Sequence, residues 1–576
     1  MIYSYGNKGV RMPPFVSKEN GMKSNDKKGS SKMEILNLSL PATNRFATEY
    51  LEQTPEIQRY FHYRFNDHLE YEKRLTEIQQ RSYMRNELAE HIEEYMDRFP
   101  TSEKVKVSIG KLKEKNSTVI IGGQQAGILT GPLYTIHKII SIIALAKQKE
   151  RELNVPVVPL FWIAGEDHDY QEVNHVFIER NNKIEKKIYP EKVLDKRMVS
   201  DIELNHELCY QWVEGIIKSF GETAYTKDLL HVLEKAINES KSFVDFFAWI
   251  VMHLFKDSGL LIIDSGDEKI RKLEKEFFIK QINNCKEITM CVKSQQNELL
   301  SNGFNNTIDI SNQAANLFYY DQENNERILL DFNAEKNCFT GKDGLIQFSY
   351  EQLLELAGEF PERLSNNVVT RPLMQEWLFP TLSFIGGPGE IAYWAELKQA
   401  FEWFDMKMPP IMPRLNITLL DRSIETDMAE LGLDLRETLM AGTEKKKRDF
   451  LQTLRDENLD ILFEKMKQDL LFNYGKIETY VTEKNKGLLP LFKKNEEKVI
   501  NQIVFLEDKL EQSIQKKYEV VINKFDRVEN ALWPVGSPQE RTLNGFFYIN
   551  QYGPSLINDL LSCSFTFDGT HKIIRM

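Results

Sequence analysis

A cluster of carboxylate and imidazole side chains after a strongly apolar segment is the part of this sequence best suited to chemistry. The segment 155–164 reads VPVVPLFWIA, as expected for a strand buried on both faces. Side chains of these types can act as general acid or base, hold Mg²⁺ or ligate zinc. We predict catalytic roles for Asp167, His168 and Asp169, and binding roles for Trp162, Glu166, Asn174 and His175.

A structural explanation of the same residues is also open. Glu166 or Asp167 could cap a helix, with acidic side chains in its first turn, where the helix dipole favours them. That explanation does not account for His168 and His175. The position of the cluster favours a site, because open α/β sheets bind ligands outside the carboxyl ends of their strands.

A Gly-rich turn lies upstream, in the segment 118–137, TVIIGGQQAGILTGPLYTIH. An apolar strand, a Gly-rich loop and a helix that starts near Pro132 would let backbone N–H groups and a helix dipole face an anion. The spacing matches neither G-x-G-x-x-G nor a P-loop, and tight helix–sheet packing is an alternative explanation. The predicted binding residues are Gly122, Gly123, Gln124, Gln125, Thr130 and Tyr134. His137 is predicted to stabilise negative charge.

A second Gly-rich turn follows the apolar segment 379–385, with the sequence GGPGEIAYW. Two such turns, far apart in sequence, suit the two halves of a doubly wound sheet that flank one crevice. Two arginines close to it could clamp a phosphate or a carboxylate, although either could equally be a surface residue. The predicted binding residues here are Asn367, Arg371, Gly386, Gly387, Gly389, Glu390, Tyr393 and Arg414.

Composition limits the function. The chain has 576 residues and a net charge of −12, which argues against a nucleic-acid substrate, since such proteins usually carry a basic stripe. No apolar run reaches the ~20 residues that span a bilayer and no signal peptide is visible, so we expect a cytoplasmic protein without membrane contact. Five cysteines without C-x-x-C spacing argue against a disulfide framework and a Cys₄ zinc site.

Changes in composition and in the spacing of apolar residues along the chain predict its division into domains. Residues 1–32, rich in Lys, Gly and Ser, are expected to be a disordered extension or an artefact of the start site. Residues 33–420 are expected to form the catalytic core, with insertions at about 178–250 and 290–365, the second built of β-hairpins. Apolar residues three and four apart predict an antiparallel helical arm over 421–532. The tail, 533–576, should pack on the core.

Four segments together resemble the family of bacillithiol-synthesis cysteine-adding enzymes: IGGQQAGILTGP, FWIAGEDHDYQEVNH, GGPGEIAYWAEL and WPVGSPQER. The resemblance runs from about Met33 to the C-terminus. It implies an α/β, Rossmann-like doubly wound core like that of class I aminoacyl-tRNA synthetases and nucleotidylyl transferases, with connective-peptide insertions. It also implies a C-terminal α-helical coiled coil that forms a homodimer.

The resemblance further implies a reaction, the formation of an amide between the carboxyl group of cysteine and the amine of glucosaminyl-malate. A nucleotide, ATP or ADP, is the implied cofactor, with Mg²⁺ left open and no metal ligand assigned. Two departures bear on this. The synthetases' His-x-Gly-His reads Tyr134-Thr135-Ile136-His137 here, and no Lys-Met-Ser-Lys-Ser loop appears. Activation other than by adenylation is therefore open.

Two other classes of function are compatible with parts of the sequence. A metal-dependent hydrolase or deacetylase acting on an amino-sugar conjugate would use the histidines and carboxylates of 167–175 around an activated water. A non-catalytic coiled-coil scaffold would leave the polar residues after the buried strands unexplained.

Overall fold

The computed structural model describes residues 33–341, 344–455 and 457–576. The segment 1–32, for which we predict disorder or a start-site artefact, lies outside the described residues. Within the described part of the chain, no helix is long and apolar enough to cross a membrane.

The core is built on a parallel sheet of five strands. Their spatial order is Ile411–Pro413, Thr381–Gly386, Thr118–Gln124, Val157–Ile163 and Leu261–Asp264, and every neighbouring pair is parallel. Of these five strands, Thr118–Gln124 comes first in the chain and lies at the centre, and the chain adds strands on one side of it and then on the other. This order defines a doubly wound sheet and confirms the predicted Rossmann-like α/β core.

Helices cover this sheet. The helix Tyr134–Leu153 follows the central strand and buries most of its apolar residues against the sheet. Its last residue is followed by Asn154 in the left-handed conformation, a common way to end a helix. The other helices in this part of the chain are Arg45–Leu51, Pro55–Gln58, His68–Gln79, Arg85–Met96, Glu103–Lys113, Tyr170–Val173, Thr370–Leu378, Pro388–Trp394 and Lys398–Trp403.

The region predicted as the first insertion contains one hairpin and three helices. The hairpin pairs His175–Arg180 with Lys183–Ile188. The helices are His206–Ser219, Thr226–Glu239 and Phe243–Phe255. Three more helices then lead to the second insertion, namely Glu268–Leu273, Lys275–Asn283 and Cys285–Ser301. The last of these runs across residue 290, where we place the insertion's start.

The second insertion contains an antiparallel sheet, in line with the hairpins expected there. Its strands, in spatial order, are Gln347–Ser349, Cys338–Gly341, Glu326–Asn333, Ala314–Asp321 and Leu364–Asn366. A helix, Tyr350–Glu359, packs on it. This sheet has its own apolar core, which includes Leu317, Leu330 and Phe339.

The arm consists of the helices Arg422–Leu431, Leu435–Ala441, Glu444–Thr453, Glu457–Lys484, Leu489–Lys517 and Glu519–Leu532. The two longest are antiparallel, because contacts between them pair early residues with late ones. Tyr474 Oη donates to Asn495 Oδ1 at 2.6 Å, and Lys467 Nζ lies 2.7 Å from Glu507 Oε2. The coiled-coil character predicted for this region is confirmed.

The tail returns to the core through the helices Gln539–Thr542, Gly545–Tyr552 and Leu556–Ser562. Its apolar side chains Phe546, Ile549 and Leu560 belong to the main hydrophobic core. Its last strand, His571–Arg575, pairs with Ile417–Leu420 and Glu34–Leu38 in a three-stranded sheet. Four short 3₁₀ helices complete the described chain: Val199–Asp201, Lys256–Ser258, Pro361–Arg363 and Lys486–Leu488. The segments Ile128–Thr130 and Pro534–Gly536 are tight turns that contain residues with positive φ.

Candidate active site

A cavity of about 640 Å³ opens at the carboxyl edge of the parallel sheet, where the strands Thr118–Gln124 and Thr381–Gly386 lie side by side. The sheet is built outward in opposite directions from this point, which is where doubly wound folds bind ligands. The volume suits a small molecule. Fifteen residues predicted from the sequence line the cavity: Gly123, Gln124, Gln125, Tyr134, Trp162, Glu166, Asp167, His168, Asn367, Arg371, Gly387, Gly389, Glu390, Tyr393 and Arg414.

The two Gly-rich turns are tied together by one buried cation. Lys138 Nζ donates to the carbonyl oxygen of Gly123 at 2.7 Å and to Glu390 Oε2 at 2.6 Å. The same carboxylate oxygen accepts the N–H of Gly387 at 2.7 Å, as the partner in a helix capping box. Burial lowers the pKa of Lys138 despite the adjacent Glu390. The lysine therefore fixes the distance between the turns.

Asp167 is held in place by the first Gly-rich turn. Its Oδ2 accepts the side-chain amide of Gln125 at 2.8 Å, and its Oδ1 accepts the backbone N–H of His168 at 2.8 Å. Burial opposes its ionisation, but the Gln125 hydrogen bond and the charge of Arg327 outweigh burial and lower the pKa of Asp167. Asp167 is thus a charged carboxylate. The neighbouring Glu166 is buried more deeply, and burial raises its pKa.

His168 is the imidazole on the cavity wall. Its Nδ1 lies 3.8 Å from Asp167 Oδ1, and its ring meets the Phe318 ring edge-on at 6.1 Å. Partial burial and the charge of Arg327 lower the pKa of His168, which keeps the ring neutral near pH 7. A neutral imidazole beside a charged carboxylate can accept a proton from a substrate.

Three predicted site residues of the segment 166–175 do not reach the cavity wall. Asp169 is exposed to solvent at the start of the short helix Tyr170–Val173. Asn174 is buried at the end of that helix, and His175 begins the hairpin with its ring against Phe177 at 5.6 Å. The turn that brings His168 toward the cavity points these neighbours elsewhere. The site roles predicted for these three residues therefore have no support in this geometry.

Four residues of the Gly-rich turns also lie off the cavity wall. A Cβ at Gly122 would lie 3.1 Å from Ile142 Cδ1, and one at Gly386 would lie 3.1 Å from Ile411 Cγ2, so both glycines serve close packing. Thr130 is buried in a left-handed backbone conformation. His137 is fully buried, with Nδ1 2.9 Å from Glu540 Oε2. We find no route from His137 to a bound substrate.

Other cavity residues were missed from the sequence, among them Lys138, Asp309, Phe318, Arg327, Asn366 and Arg541. Phe318 and Arg327 come from the antiparallel sheet of the second insertion, and Arg541 comes from the tail. No local spacing links those regions to the strand ends. Lys138 could have been suspected, because a cation directly after His137 in a strongly apolar helix is unusual.

The cations of the cavity fall into two groups. Lys138 is paired with Glu390, and Arg414 donates from Nη1 and Nη2 to Glu540 at 2.8 and 2.6 Å. Among the described residues, no carboxylate lies within ion-pair distance of the three remaining guanidinium groups. These groups belong to Arg327, Arg371 and Arg541.

The first two unpaired arginines are held by neutral groups. The Arg327 guanidinium stacks on the Phe318 ring at 3.8 Å and donates to the carbonyl oxygen of Asn366 at 2.7 Å. Arg371 donates to the Tyr393 hydroxyl. Their positive charge is available to an anionic ligand.

The structure describes no convergent metal-ligand set. Nowhere in its described residues do three or more His, Cys, Asp or Glu side chains come together as metal ligands would. The residues cited for a metal-dependent hydrolase are dispersed, with His168 at the cavity and His175 on the hairpin. No observation favours that alternative.

The doubly wound sheet and the charged cavity at its switch point define a Rossmann-like α/β protein with a candidate small-molecule site. The chain matches the N-terminal Rossmann-like domain of the bacillithiol biosynthesis BshC family over residues 33–415. It matches the C-terminal coiled-coil domain of the same family over residues 417–576. The chain belongs to this family.

Curated relatives agree with this assignment over nearly the full length. A protein of Geobacillus sp. strain WCH70 is 46% identical over 542 residues, which cover 94% of this chain and 100% of the relative. A protein of Geobacillus thermodenitrificans is 44% identical, and one of Bacillus cereus strain 03BB102 is 41% identical, with the same coverage. Each is named "Putative cysteine ligase BshC". This consistent naming identifies the chain as an enzyme of the ligase class.

Proposed function

We propose that this enzyme joins the carboxyl group of L-cysteine to the amino group of glucosaminyl-malate, forming bacillithiol in a reaction driven by a nucleotide. Membership of the bacillithiol biosynthesis family supports the choice of pathway. One structural observation carries the chemistry: a neutral imidazole, His168, shares a cavity with guanidinium groups that have no carboxylate at ion-pair distance among the described residues. Amide formation between an amine and an anionic acid can use both features, since a base can take the proton of the amine and cationic groups can bind the acid.

The imidazole would activate the amine. An alkylammonium group is mostly protonated near neutral pH, and its nitrogen must lose a proton before it can attack a carbonyl carbon. As the C–N bond forms, the C–O bond between the activated carboxyl carbon and its phosphate-bearing leaving group would break. The nitrogen then releases a proton, and His168 is the cavity group positioned to take it. The charged Asp167 beside the ring would stabilise the imidazolium that results.

The unpaired guanidinium groups would bind the anionic parts of the substrates. The proposed reactants carry carboxylates on cysteine and on the malate group, and a nucleotide adds phosphates. Arg327, Arg371 and Arg541 offer planar donors for such groups at three places on the wall. Binding in this way also holds the reacting groups close together.

The second Gly-rich turn has room for a phosphate. A Cβ at Gly387 would meet only Glu390 Oε2, at 3.4 Å, and one at Gly389 would meet no atom within 4 Å. A bound ATP or ADP would supply the energy for activating the carboxyl group. If Mg²⁺ accompanies the nucleotide, Asp167 and Asp309 provide carboxylate oxygens of the type it prefers.

We also propose that the arm forms a homodimer and that the enzyme works in the cytoplasm. The arm leaves many large apolar side chains exposed, including Ile461, Phe472 and Leu491. A coiled-coil partner would cover such a surface. All five cysteines are free, as expected for a reducing compartment.

Incubation of the purified protein with L-cysteine, glucosaminyl-malate and ATP tests the reaction. Mass spectrometry should show the amide product and a nucleotide product appearing together, and neither should form when cysteine is omitted. Replacing L-cysteine by L-serine is the matched control, since it differs only at the thiol. Product formation without nucleotide turnover would disprove nucleotide-dependent activation, and no amide under any condition would disprove the ligase reaction.

A further inference from the structure

The tail segment 539–544, which contains the end of the motif WPVGSPQER, is built into the base of the candidate active site. Gln539 donates to the carbonyl oxygen of Leu419 and accepts its N–H, each at 2.9 Å. Glu540 binds Arg414 and His137. Asn544, at the end of the segment, contacts the first Gly-rich turn.

The part of that turn which Asn544 contacts has an unfavourable backbone conformation. Leu129, Thr130 and Gly131 have φ angles of 50°, 67° and 65°. Three successive residues in the left-handed region are uncommon, and two of these carry a Cβ, which costs energy there. Such a conformation persists only where its surroundings hold it.

Hydrogen bonds from Asn544 stabilise this conformation. Its Nδ2 donates to the carbonyl oxygens of Leu129 at 2.8 Å and of Gly131 at 2.7 Å, while its Oδ1 accepts the N–H of Phe546 at 2.9 Å. The side chain is 1% exposed. The preceding residue, Leu543, adds a backbone hydrogen bond. Its carbonyl oxygen accepts the N–H of Leu133 at 2.9 Å.

The turn leads directly into the helix Tyr134–Leu153, which sends Tyr134 and Lys138 to the cavity wall. Lys138 in turn joins the two Gly-rich turns. We propose that Asn544 is a positioning residue, which holds the turn 129–131 and thereby places Tyr134 and Lys138 for the ligation reaction. This proposal rests on the proposed function for its catalytic part.

Asn544→Asp removes the side-chain N–H donor and introduces a carboxyl group in its place. The aspartate keeps an oxygen for the N–H of Phe546 but has no N–H for the two carbonyl groups. The chain offers a matched control in Asn550→Asp. Asn550 is also 1% exposed, donates to the carbonyl oxygen of Gly221 at 2.9 Å and accepts the Thr226 hydroxyl at 2.8 Å, away from the cavity.

Two measurements decide the proposal in the full-length protein. Hydrogen–deuterium exchange should rise in the segment 126–138 for Asn544→Asp and stay at the wild-type rate there for Asn550→Asp. In the ligation assay, kcat/KM should fall at least tenfold for Asn544→Asp, with most of the loss in kcat, and should be unchanged for Asn550→Asp. Thermal unfolding should shift by similar amounts in both variants, so stability alone would not separate them.

The opposite results would overturn the proposal. Wild-type exchange in 126–138 for Asn544→Asp would show that the side chain does not hold the turn. Equal losses of kcat/KM in both variants would show that only general stability is affected. If the wild-type protein forms no amide, the proposed ligation fails, while the exchange experiment still decides whether Asn544 holds the turn.

Discussion

The core and the arm differ in how far their apolar side chains are buried. Every residue of the core strand Val157–Ile163 is buried. In the arm, Ile461 and Leu491 are 65% and 67% exposed, although they belong to regular helices. The core is therefore complete within one chain, whereas the arm leaves an apolar surface that a monomer does not cover.

This difference separates two functions. The cavity and its charged residues lie in the core and in the tail that packs on it, while the arm carries the exposed apolar surface that we propose for assembly. Changes at the cavity should alter chemistry and leave assembly intact, and changes on the arm should do the reverse.

Gly387→Val should abolish substrate binding in a folded dimer. The backbone at Gly387 is ordinary, with φ of −80°, and the free protein has space for the new side chain, which would occupy the cavity instead of a ligand. Calorimetric titration with cysteine and ATP should show no binding, with the melting temperature close to that of the wild type. Gly110→Val, on an exposed helix face with nothing within 4 Å, is the control. Wild-type affinity in Gly387→Val would assign this turn a packing role only.

Glu540→Gln should destabilise the core. Burial disfavours the charge of Glu540, but Arg414 and His137 outweigh burial and hold the pKa of this carboxyl well below its usual range. Removing one partner of a buried pair costs about 3–5 kcal/mol. Denaturant unfolding at pH 7 should show this loss, and light scattering should still show a dimer below the transition.

The pH dependence of that loss has a definite sign. Because the folded-state pKa of Glu540 is depressed, its stabilising effect is present above the unfolded value of about 4.3 and is lost as pH falls below it. The difference between wild type and Glu540→Gln should therefore shrink in acid. Glu214→Gln breaks an exposed helical pair with Lys218 and should cost only about 0.3–0.5 kcal/mol. Equal costs at both positions would contradict the assigned pairing.

His168→Ala should lower turnover by about 100-fold, within the usual range for the loss of a general base, without unfolding the protein. The neighbouring Asp169→Asn serves as the control and should keep near-normal turnover, because Asp169 faces solvent. In the wild type, kcat should fall as pH drops through the lowered pKa of His168, below its usual value of about 6.5. Single-turnover rates measured across pH provide the check, and a fully active His168→Ala would remove this residue from the mechanism.

Arg371→Gln should weaken substrate binding more than it slows turnover. Loss of a charged hydrogen bond costs about 1.5–3 kcal/mol, which corresponds to a rise in KM of about 10-fold to 100-fold. Steady-state kinetics with each substrate in turn would show which one Arg371 binds. Arg45→Gln, which removes an exposed partner of Glu49 outside the cavity, should leave KM unchanged. A fall in kcat alone would assign Arg371 a different role.

The double variant Leu506→Glu and Leu510→Glu should have the smallest effect on the site and the largest on assembly. Both leucines belong to the apolar stripe of the helix Leu489–Lys517 and are partly exposed. Two charges in an apolar seam cost several kcal/mol, so the particle should become a monomer that keeps wild-type turnover. Lys498→Glu, elsewhere on this helix, should remain a dimer. Light scattering that still showed a dimer for the double variant would place the interface elsewhere.

Several parts of this fold could be predicted from local sequence alone. The run from Val157 to Ile163 is apolar throughout, so it had to be a strand with both faces covered. The two Gly-rich turns follow apolar strands, and parallel strands bring such turns to one edge of a sheet. The helical repeat of the arm likewise depends only on spacing within a few turns. These features can be predicted because each depends on the pattern of residues close together in the sequence.

Which polar residues of these loops face the cavity depends on contacts between distant parts of the chain. His168 and Asp169 are adjacent, and either side chain could act as a general base. The turn that contains them has no periodic pattern, and it directs His168 to the cavity and Asp169 to solvent. Arg327 and Phe318 reach the site from an insertion whose own sequence pattern describes a separate sheet. Local sequence patterns do not predict these contacts, because the residues that meet are far apart in the chain.

The tail shows the same limit most clearly. The motif WPVGSPQER could be recognised in the sequence, but nothing in its spacing indicates that Glu540 would neutralise Arg414, 126 residues earlier. Asn544 reaches even further, to Leu129, across 415 residues. The positions of strands, turns and helices could be predicted from the sequence, because they depend on short-range sterics and on the burial of apolar faces. Which charges are paired and which stay available to a ligand was decided by the packing of the tail and the insertion around the sheet.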